Sequence, residues 1–458
     1  MSLKFILRMR FILCLLLFTS ASSASIQVYF NHRQDRSYRE FYRPIQRPGD
    51  DLEKVILEEI SKARTQILVA IQELRLPRIA DALIAKRNEG LDVRIILEDR
   101  YNFNIPDQPH DLSSSEGQEQ NQEQSQETSR YAELVLFADL NKDGILSVSE
   151  LKQRDAIYKL QQAKMTIRDD RSDGSKGSGL MHHKLIVIDQ SVVVTSTANF
   201  TMSDIHGDVG EILSRGNANS LQVLRSKELA QLFSDEFGLM WSLKFGSKKL
   251  FRKKARVNVE GTYVTVQFSP FLKQVPWEET TNGLIADQLG SAKSSVRSAL
   301  FVFSEQKIAD ALFKQRLIRP GLKIEFLIEP RFAYRYYSEL LDLLGVQGIN
   351  TQTCKREQGN LLWNPPLVFA GIPRLLPGDM LHHKFAVIDR EKVLVGSHNW
   401  SDSANSRNDE FLLIIEKSDI AADYEREFTR VSQRAIWGVT QGLRERLRED
   451  DYFCKLSY

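Results

Sequence analysis

Apolar and polar positions follow two periods along this chain, and the order of those periods repeats. Ile26-Gln27-Val28-Tyr29-Phe30 alternates residue by residue, as an opening or edge strand does. From Leu52 to Arg64 the spacing of Leu52, Val55, Ile56 and Ile60 is helical, and the apolar run Ile67-Leu68-Val69-Ala70-Ile71 follows as a strand. A second helix through Ile79-Ala80-Asp81-Ala82-Leu83 closes near Gly90, and another strand runs from Leu91 to Leu97. This order of strand, helix, strand, helix, strand predicts an α/β domain with helices packed on a largely parallel sheet.

The same grammar restarts at Val264-Thr265-Val266-Gln267-Phe268, with a helix through Ile285 and Leu289 and a strand from Ala299 to Phe303. Ile308-Ala309-Asp310-Ala311-Leu312 is identical to Ile79–Leu83, and Gly321 to Leu327 matches Gly90 to Leu97. The chain is therefore read as an internal duplication. Phe233, Phe237 and Trp241 close the first half on one helix, and Phe428 and Trp437 close the second on another; all are expected in the core. The expected boundaries are a leader over 1–24, a first half over 25–243, a basic linker over 244–260 and a second half over 261–458.

One insertion, over 111–165, separates the halves in length: Gly90 to His182 spans 92 residues and Gly321 to His382 spans 61. Part of it, Ser113 to Arg130, is rich in Ser, Gln and Glu and too polar to pack, so a disordered loop is expected. The rest contains Asp139-Leu140-Asn141-Lys142-Asp143-Gly144-Ile145-Leu146-Ser147-Val148-Ser149-Glu150, which fits the twelve-residue EF-hand calcium loop. Asp139, Asn141 and Asp143 offer side-chain oxygens, Gly144 makes the sharp turn, Ile145 offers its carbonyl, and Ser147 and Glu150 complete the set. Tyr131–Ala138 and Ser149–Gln162 are the expected flanking helices. Calcium is thus the expected ion, in a structural or regulatory place, with no cofactor required for the chemistry.

Composition narrows the class. With 42% hydrophobic and 27% charged residues in 458, the chain is globular. Its first 24 residues differ: Lys4, Arg8 and Arg10 precede the apolar run Phe11–Phe18, and Ser22-Ser23-Ala24 offers a cleavage site, as in a secretory signal peptide. A secreted or periplasmic protein is expected. The run is too short for a stable membrane span, and Cys14 follows Leu13 rather than a small residue, against a lipoprotein anchor. Without the leader, 59 basic residues face 60 acidic ones, which argues against a nucleic-acid footprint over the whole surface. Lys244–Arg256 holds seven basic residues and no acid, and reads either as a solvated linker or as a docking strip for lipid headgroups or nucleic acid. Cys354 and Cys454 are open to a disulfide or to two separate buried thiols.

Chemistry concentrates in a repeated motif. Leu180-Met181-His182-His183-Lys184-Leu185-Ile186-Val187-Ile188-Asp189 has a near-copy at Leu381 to Asp389, and the two hold four of the chain's eight histidines. Residues two apart on a strand share a face, so His182 and Lys184 point one way, as do His382 and Lys384. Asp189 and Asp389 fall on the opposite face and suit structural work. Return strands bring Ser196, Thr197 and Asn199, or Ser397 and Asn399, to the histidine edge. Each half then offers an imidazole, an ammonium, a hydroxyl and an amide, a polyanion-binding set that cannot easily cleave a phosphodiester alone. Two facing halves let one imidazole attack phosphorus while the other protonates the leaving oxygen and then activates water. Lys184, Lys384, Asn199 and Asn399 would stabilise the non-bridging oxygens. Glu211 and Glu410, 29 and 28 residues after the histidines, are the candidates to fix the imidazole tautomers. His183 and His383 are treated as flanking residues.

His-x-Lys-x4-Asp followed by Gly-Ser and Asn resembles the signature of the phospholipase D superfamily. The second copy matches throughout (His382, Lys384, Asp389, Gly396, Ser397, Asn399), whereas the first carries Ser196-Thr197 in place of Gly-Ser. The resemblance covers nearly the whole chain after the leader. It implies two homologous α-β-α halves related by a pseudo-twofold axis, with mixed, largely parallel sheets and the site between them. It also implies a phosphodiesterase working through a phosphohistidine, with a phospholipid or membrane surface as the expected partner. An extracellular or periplasmic endonuclease acting on DNA or RNA is the alternative, and an inactive calcium-regulated lipid- or phosphate-binding protein is a third reading. A monomer is expected.

Overall fold

The computed structural model describes residues 25–107, 130–171 and 179–456. The leader, and the polar tract apart from Arg130, lie outside these residues. Two mixed sheets organise the chain. The first has seven strands in the order Ser25–Phe30, Ser220–Arg225, Val192–Ser196, Lys184–Ile188, Gln66–Ile71, Asp92–Leu97, Ile167–Asp169. The second has nine: Ala255–Val259, Thr262–Ser269, Glu410–Glu416, Lys392–Gly396, Lys384–Ile388, Ser295–Leu300, Lys323–Ile328, Ala370–Ile372, Ile436–Trp437. The sheets are less parallel than expected. Parallel pairing is confined to Gln66–Ile71, Asp92–Leu97 and Ile167–Asp169 and to their counterparts in the second half. Each histidine strand turns back through a tight hairpin and so builds an antiparallel region beside them.

The hairpins carry their own signal. Asp189 and Gln190 have φ of 51° and 49°, Asp389 and Arg390 of 55° and 60°, as the two-residue turns of antiparallel hairpins require. Helices Leu52–Lys62 and Pro77–Asn88 cover the outer face of the first sheet, as Thr281–Gly290 and Gln306–Ile318 cover that of the second. The inner faces meet through two helices, Lys227–Trp241 and Ser418–Ser432. Phe233 of the first lies 5.1 Å from Phe268 and 5.7 Å from Phe411 of the other half, and Tyr424 of the second lies 5.0 Å from Phe30. These rings belong to one core drawn from both sheets, so the halves share their apolar interior. Each fully buried phenylalanine contributes about 1.5–3 kcal/mol of transfer free energy, so the interface is a folding core and not a hinge. Trp437 differs from expectation: it lies in the short strand Ile436–Trp437, beyond the helix.

The basic stretch after Trp241 departs from both expectations at Lys249 and Arg252. Phe245 and Lys249 are buried, and Lys249 pairs with Glu236 and, at 2.5 Å, with Asp409 of the second half, while Arg252 pairs with Glu236. A buried lysine needs partnered charge, so Lys249 ties the two halves together, while Lys244, Lys248, Lys253, Lys254 and Arg256 stay exposed. Cys354 and Cys454 form a disulfide that joins the loop near Asn350 to the final helix, Gln441–Leu456. Among the described residues no helix is long and apolar enough to cross a membrane.

Candidate active site

Each histidine precedes a fully buried five-residue strand, which fixes its position from behind. From the front it is held by the opposite half. Met181 bridges to Asp409 and Leu381 to Ala218, with the His182 N–H donating to Asp409 O at 3.0 Å and the His382 N–H to Ala218 O at 3.1 Å. The side chains cross in the same way. His182 Nδ1 lies 2.6 Å from Glu410 Oε2, and His382 Nδ1 lies 3.1 Å from Asn219 Oδ1. Glu410 and Asn219 are equivalent, each two residues before the leucine paired with position 396 or 196. Each half therefore supplies the acceptor behind the other half's imidazole.

This corrects the tautomer assignment for Glu211, which stays on a surface loop and accepts the Leu213 N–H at 3.0 Å. The first half's loop is longer, so equal spacing from the histidine does not give an equal place. Asn219 stands where Glu410 stands in the second half. A carboxylate still approaches His382, from Asp204 at 3.7 Å, on the short helix Met202–Ile205. Asp204 is itself held by the Asn199 N–H at 2.7 Å and the Asn217 amide at 2.6 Å. The hydroxyls serve the acceptors: Thr197 Oγ1 donates to Asn219 Oδ1 at 2.8 Å, and Ser397 lies against Glu410. Gly396 has no room for a side chain, since a Cβ there would meet Phe411 O at 2.1 Å, whereas Ser196 uses its hydroxyl to bond Ser220 O at 3.1 Å.

The ammoniums differ between the halves. Lys184 Nζ donates to His182 O at 3.0 Å and to Gln72 Oε1 at 2.9 Å. Lys384 Nζ donates to His382 O at 2.8 Å and lies 4.9 Å over the Phe301 ring, which also meets the His382 ring edge-on at 4.8 Å. Gln72 and Phe301 each follow directly on the strand beside the histidine strand. All four cationic groups are at least nine-tenths buried. Burial, then the Lys184 and Lys384 ammoniums, holds the His182 imidazole well below its ordinary value, and burial with Lys384 does the same to His382. Burial pulls Lys184 down to about 7 and Lys384 well below its usual range, while it raises Glu410. That His182 responds to Lys384, and His382 to Lys184, means the two motifs form one site. The Asn199 and Asn399 Oδ1 atoms are buried without a partner, so the amides are uncommitted. Two buried amines ready to take up protons, with free amides beside them, make an anion cradle, and a bound phosphodiester would restore the ammoniums to their charged form.

Asp189 and Asp389 sit at the far ends of the strands, as expected of structural residues. Asp189 accepts the N–H groups of Arg64, Thr65 and Gln66, and Asp389 those of Lys293, Ser294 and Ser295. Burial raises both pKa values and these bonds reverse it, leaving each below its ordinary value. His183 and His383 point to the other face, where Glu236 and Glu427 of the interface helices receive them at 3.2 and 2.8 Å. The recurring Glu-Phe pairs Glu236-Phe237 and Glu427-Phe428 could have announced those acids; nothing local marked Asp204, Asn219, Gln72 or Phe301.

The acidic loop is folded as a turn around its own oxygens. Asp139 accepts the Lys142 and Gly144 N–H groups, Asn141 that of Asp143, and Asp143 that of Ile145. Glu150 accepts from Leu140, Asn141 and Ser147, and the Ser147 hydroxyl and backbone bonds lead in lowering its carboxyl to about 2. Residues 130–138 form the entering helix and Val148–Arg154 the leaving one, with Asp155 capping a further helix, Ala156–Gln162. The donors are all oxygens, so the set suits calcium. The entering helix reaches the catalytic surroundings: Arg130 pairs with Glu73 and donates to Tyr101 Oη at 3.0 Å, and Glu133 accepts the Val209 N–H at 2.7 Å. Elsewhere Glu98, Asp99 and Asp170 have carboxylate oxygens within 4.8 Å of one another.

Two facing histidine–lysine–asparagine sets between duplicated α/β halves define a phosphodiester-processing class of protein. The chain belongs to the phospholipase D-like family: the cardiolipin synthase, phospholipase D-like domain matches residues 56–241 and 285–432. A phospholipase D of Rickettsia felis is 29% identical over 140 residues, 31% of this chain and 58% of that protein. The mitochondrial cardiolipin hydrolase of Mus musculus is 24% identical over 159 residues, 34% of this chain and 60% of that protein. The match thus spans less than two thirds of the length of either. Phosphatidylserine synthase from Haemophilus influenzae Rd KW20 shares the fold with a TM-score of 0.52 at 14% identity, covering 89% of this chain and 92% of that one.

Proposed function

We propose that the protein hydrolyses a phospholipid phosphodiester through a phosphohistidine. The observation that carries this reading is the crossed support of the two imidazoles. With Nδ1–H donated to Glu410, His182 presents its Nε2 lone pair to phosphorus as nucleophile. His382, beside Asn219 and the Asp204 carboxylate, is protonated once the anionic phosphodiester is bound, and gives that proton to the leaving alcohol oxygen as the P–O bond breaks. It then takes a proton from water, whose oxygen attacks the phosphohistidine and frees His182. Lys184, Lys384, Asn199 and Asn399 bear the charge on the non-bridging oxygens. The family's description and the relatives' names favour a lipid over a nucleic acid. The Cys354–Cys454 disulfide supports an exported location. A side-by-side assay of the purified protein on phosphatidylcholine, cardiolipin, plasmid DNA and RNA tests the substrate class; cleavage of nucleic acid alone would overturn the lipid reading.

Calcium is assigned to Asp139, Asn141, Asp143, Ile145, Ser147 and Glu150, where it would brace the helix that carries Arg130 and Glu133. Calorimetry with calcium is expected to give a binding heat that Glu150→Gln abolishes; equal heats from both proteins would reject the site.

A further inference from the structure

We propose that the cleft between His32, Arg215, Arg374, Arg430 and Arg434 binds the phosphate of an anionic phospholipid headgroup at a bilayer surface. The cleft measures about 180 Å³ and draws His32 and Arg215 from the first half and the other three from the second, with no carboxylate in its lining. Arg430 is engaged by Glu427, and His32 Nε2 lies 2.6 Å from Gly216 O. The side chains of Arg215, Arg374 and Arg434 are exposed and make no hydrogen bond or ion pair among the described residues. Three unpaired guanidiniums gathered on a protein whose net charge is only +2 repel one another, and an entering anion relieves that repulsion.

The position and the neighbours of the cleft favour a lipid as the source of that anion. Besides that of Glu427, the carboxylate of Asp379 lies behind the cleft and is taken up by the Ser214 hydroxyl and the Arg215 and Gly216 N–H groups at 2.6, 2.9 and 3.0 Å. These bonds fix the loop against the segment that leads to His382, so the cleft lies at the catalytic end of the molecule. The same loop exposes Ile212 and Leu213, 74% and 58% accessible, at its tip beside Glu211. Aliphatic side chains next to free arginines suit the boundary between headgroups and acyl chains. A nucleic-acid strand would be met by stacked aromatic rings, and the imidazole of His32 is the one ring in this lining.

The proposal rests on the lipid reading above, and binding separates it from catalysis. The purified protein is sedimented with phosphatidylcholine vesicles, with and without phosphatidylglycerol, beside Arg374→Ala/Arg434→Ala and Ile212→Ser/Leu213→Ser. Phosphatidylglycerol is expected to strengthen binding. The arginine pair is expected to lose about thirtyfold on the anionic vesicles, from roughly 1 kcal/mol per basic residue near a membrane surface. The serine pair is expected to weaken binding to both vesicle types. Unchanged melting temperatures of these exposed variants check the fold. Equal binding of the wild type to both vesicles, or of the arginine pair and the wild type to anionic ones, would overturn the proposal. So would a response to inorganic phosphate or to an oligonucleotide in place of the vesicles. Hydrolysis of soluble bis(4-nitrophenyl) phosphate is followed in parallel; its failure counts against the catalytic reading alone.

Discussion

The two histidine motifs are near-copies in sequence and unequal in surroundings. His182 is backed by a buried carboxylate at 2.6 Å, and His382 by a neutral amide at 3.1 Å with a carboxylate further off at 3.7 Å. Lys184 is held by the oxygen of Gln72, while Lys384 lies over the ring of Phe301. Duplication preserved the frame, meaning the strands, the hairpins and the aspartates that anchor them. The residues that changed are Asn219 and Glu410, which reach across to the partner motif, and Gln72 and Phe301, which meet the lysine of their own half. A symmetric substrate site would need no such divergence, whereas a nucleophile and a proton donor have opposite needs. In the mechanism proposed above, the close Glu410 carboxylate suits His182 as the attacking imidazole, and the looser Asn219–Asp204 pair leaves His382 free to give and take its proton.

The largest expected effect separates those two roles. His182→Ala is expected to reduce hydrolysis to background on every substrate, by about 10⁴-fold or more. His382→Ala is expected to do so on phospholipid, yet to retain a first turnover on bis(4-nitrophenyl) phosphate, whose leaving group needs no proton. Quenching in alkali, where a phosphohistidine survives, should then trap the 4-nitrophenylphosphoryl group on His182; an adduct on His382 in the reciprocal variant would reverse the assignment. A smaller effect tests the partners. Glu410→Gln is expected to slow both substrates by about 10²-fold, within the usual range for acid–base assistance. Asn219→Ala is expected to slow phospholipid cleavage by about tenfold and to spare the nitrophenyl ester. Equal losses for both variants on both substrates would remove the functional difference between the halves.

The smallest effect is on stability. Lys184 holds its proton to about 7 when folded and free of ligand, and to about 10.4 when unfolded. Between these values the unfolded chain binds more protons, so stability rises with pH, by up to about 1.4 kcal/mol per pH unit from this group. Melting of the ligand-free protein between pH 7.5 and 9.5 should show this rise, and Lys184→Met should diminish it, leaving the part that Lys384 contributes with the same sign. A phosphate analogue such as tungstate should diminish it too, by keeping the ammonium charged.

Much of this was legible in the chain. The duplication, the succession of strands and helices along each half, the paired His-x-Lys motifs and the structural place of Asp189 and Asp389 all follow from periodicity and spacing, because they are local. Glu410 was found by its distance from His382, yet it serves His182. Glu211 was chosen by the same count and fails, since the loop before Asn219 is longer than its counterpart. The parallel content of the sheets was overstated because an apolar strand reads alike whichever way its neighbour runs. Lys249 looked like part of a solvated strip because its buried partners, Glu236 and Asp409, are distant in sequence.

By itself, then, the amino-acid sequence determined that this protein has two like halves, each bearing an imidazole and an ammonium on one strand edge. Only the tertiary structure decided which half supports which histidine and where Arg215, Arg374 and Arg434 converge. Those choices belong to side chains brought together across the shared core, and a pairing between segments some two hundred residues apart leaves no period in either.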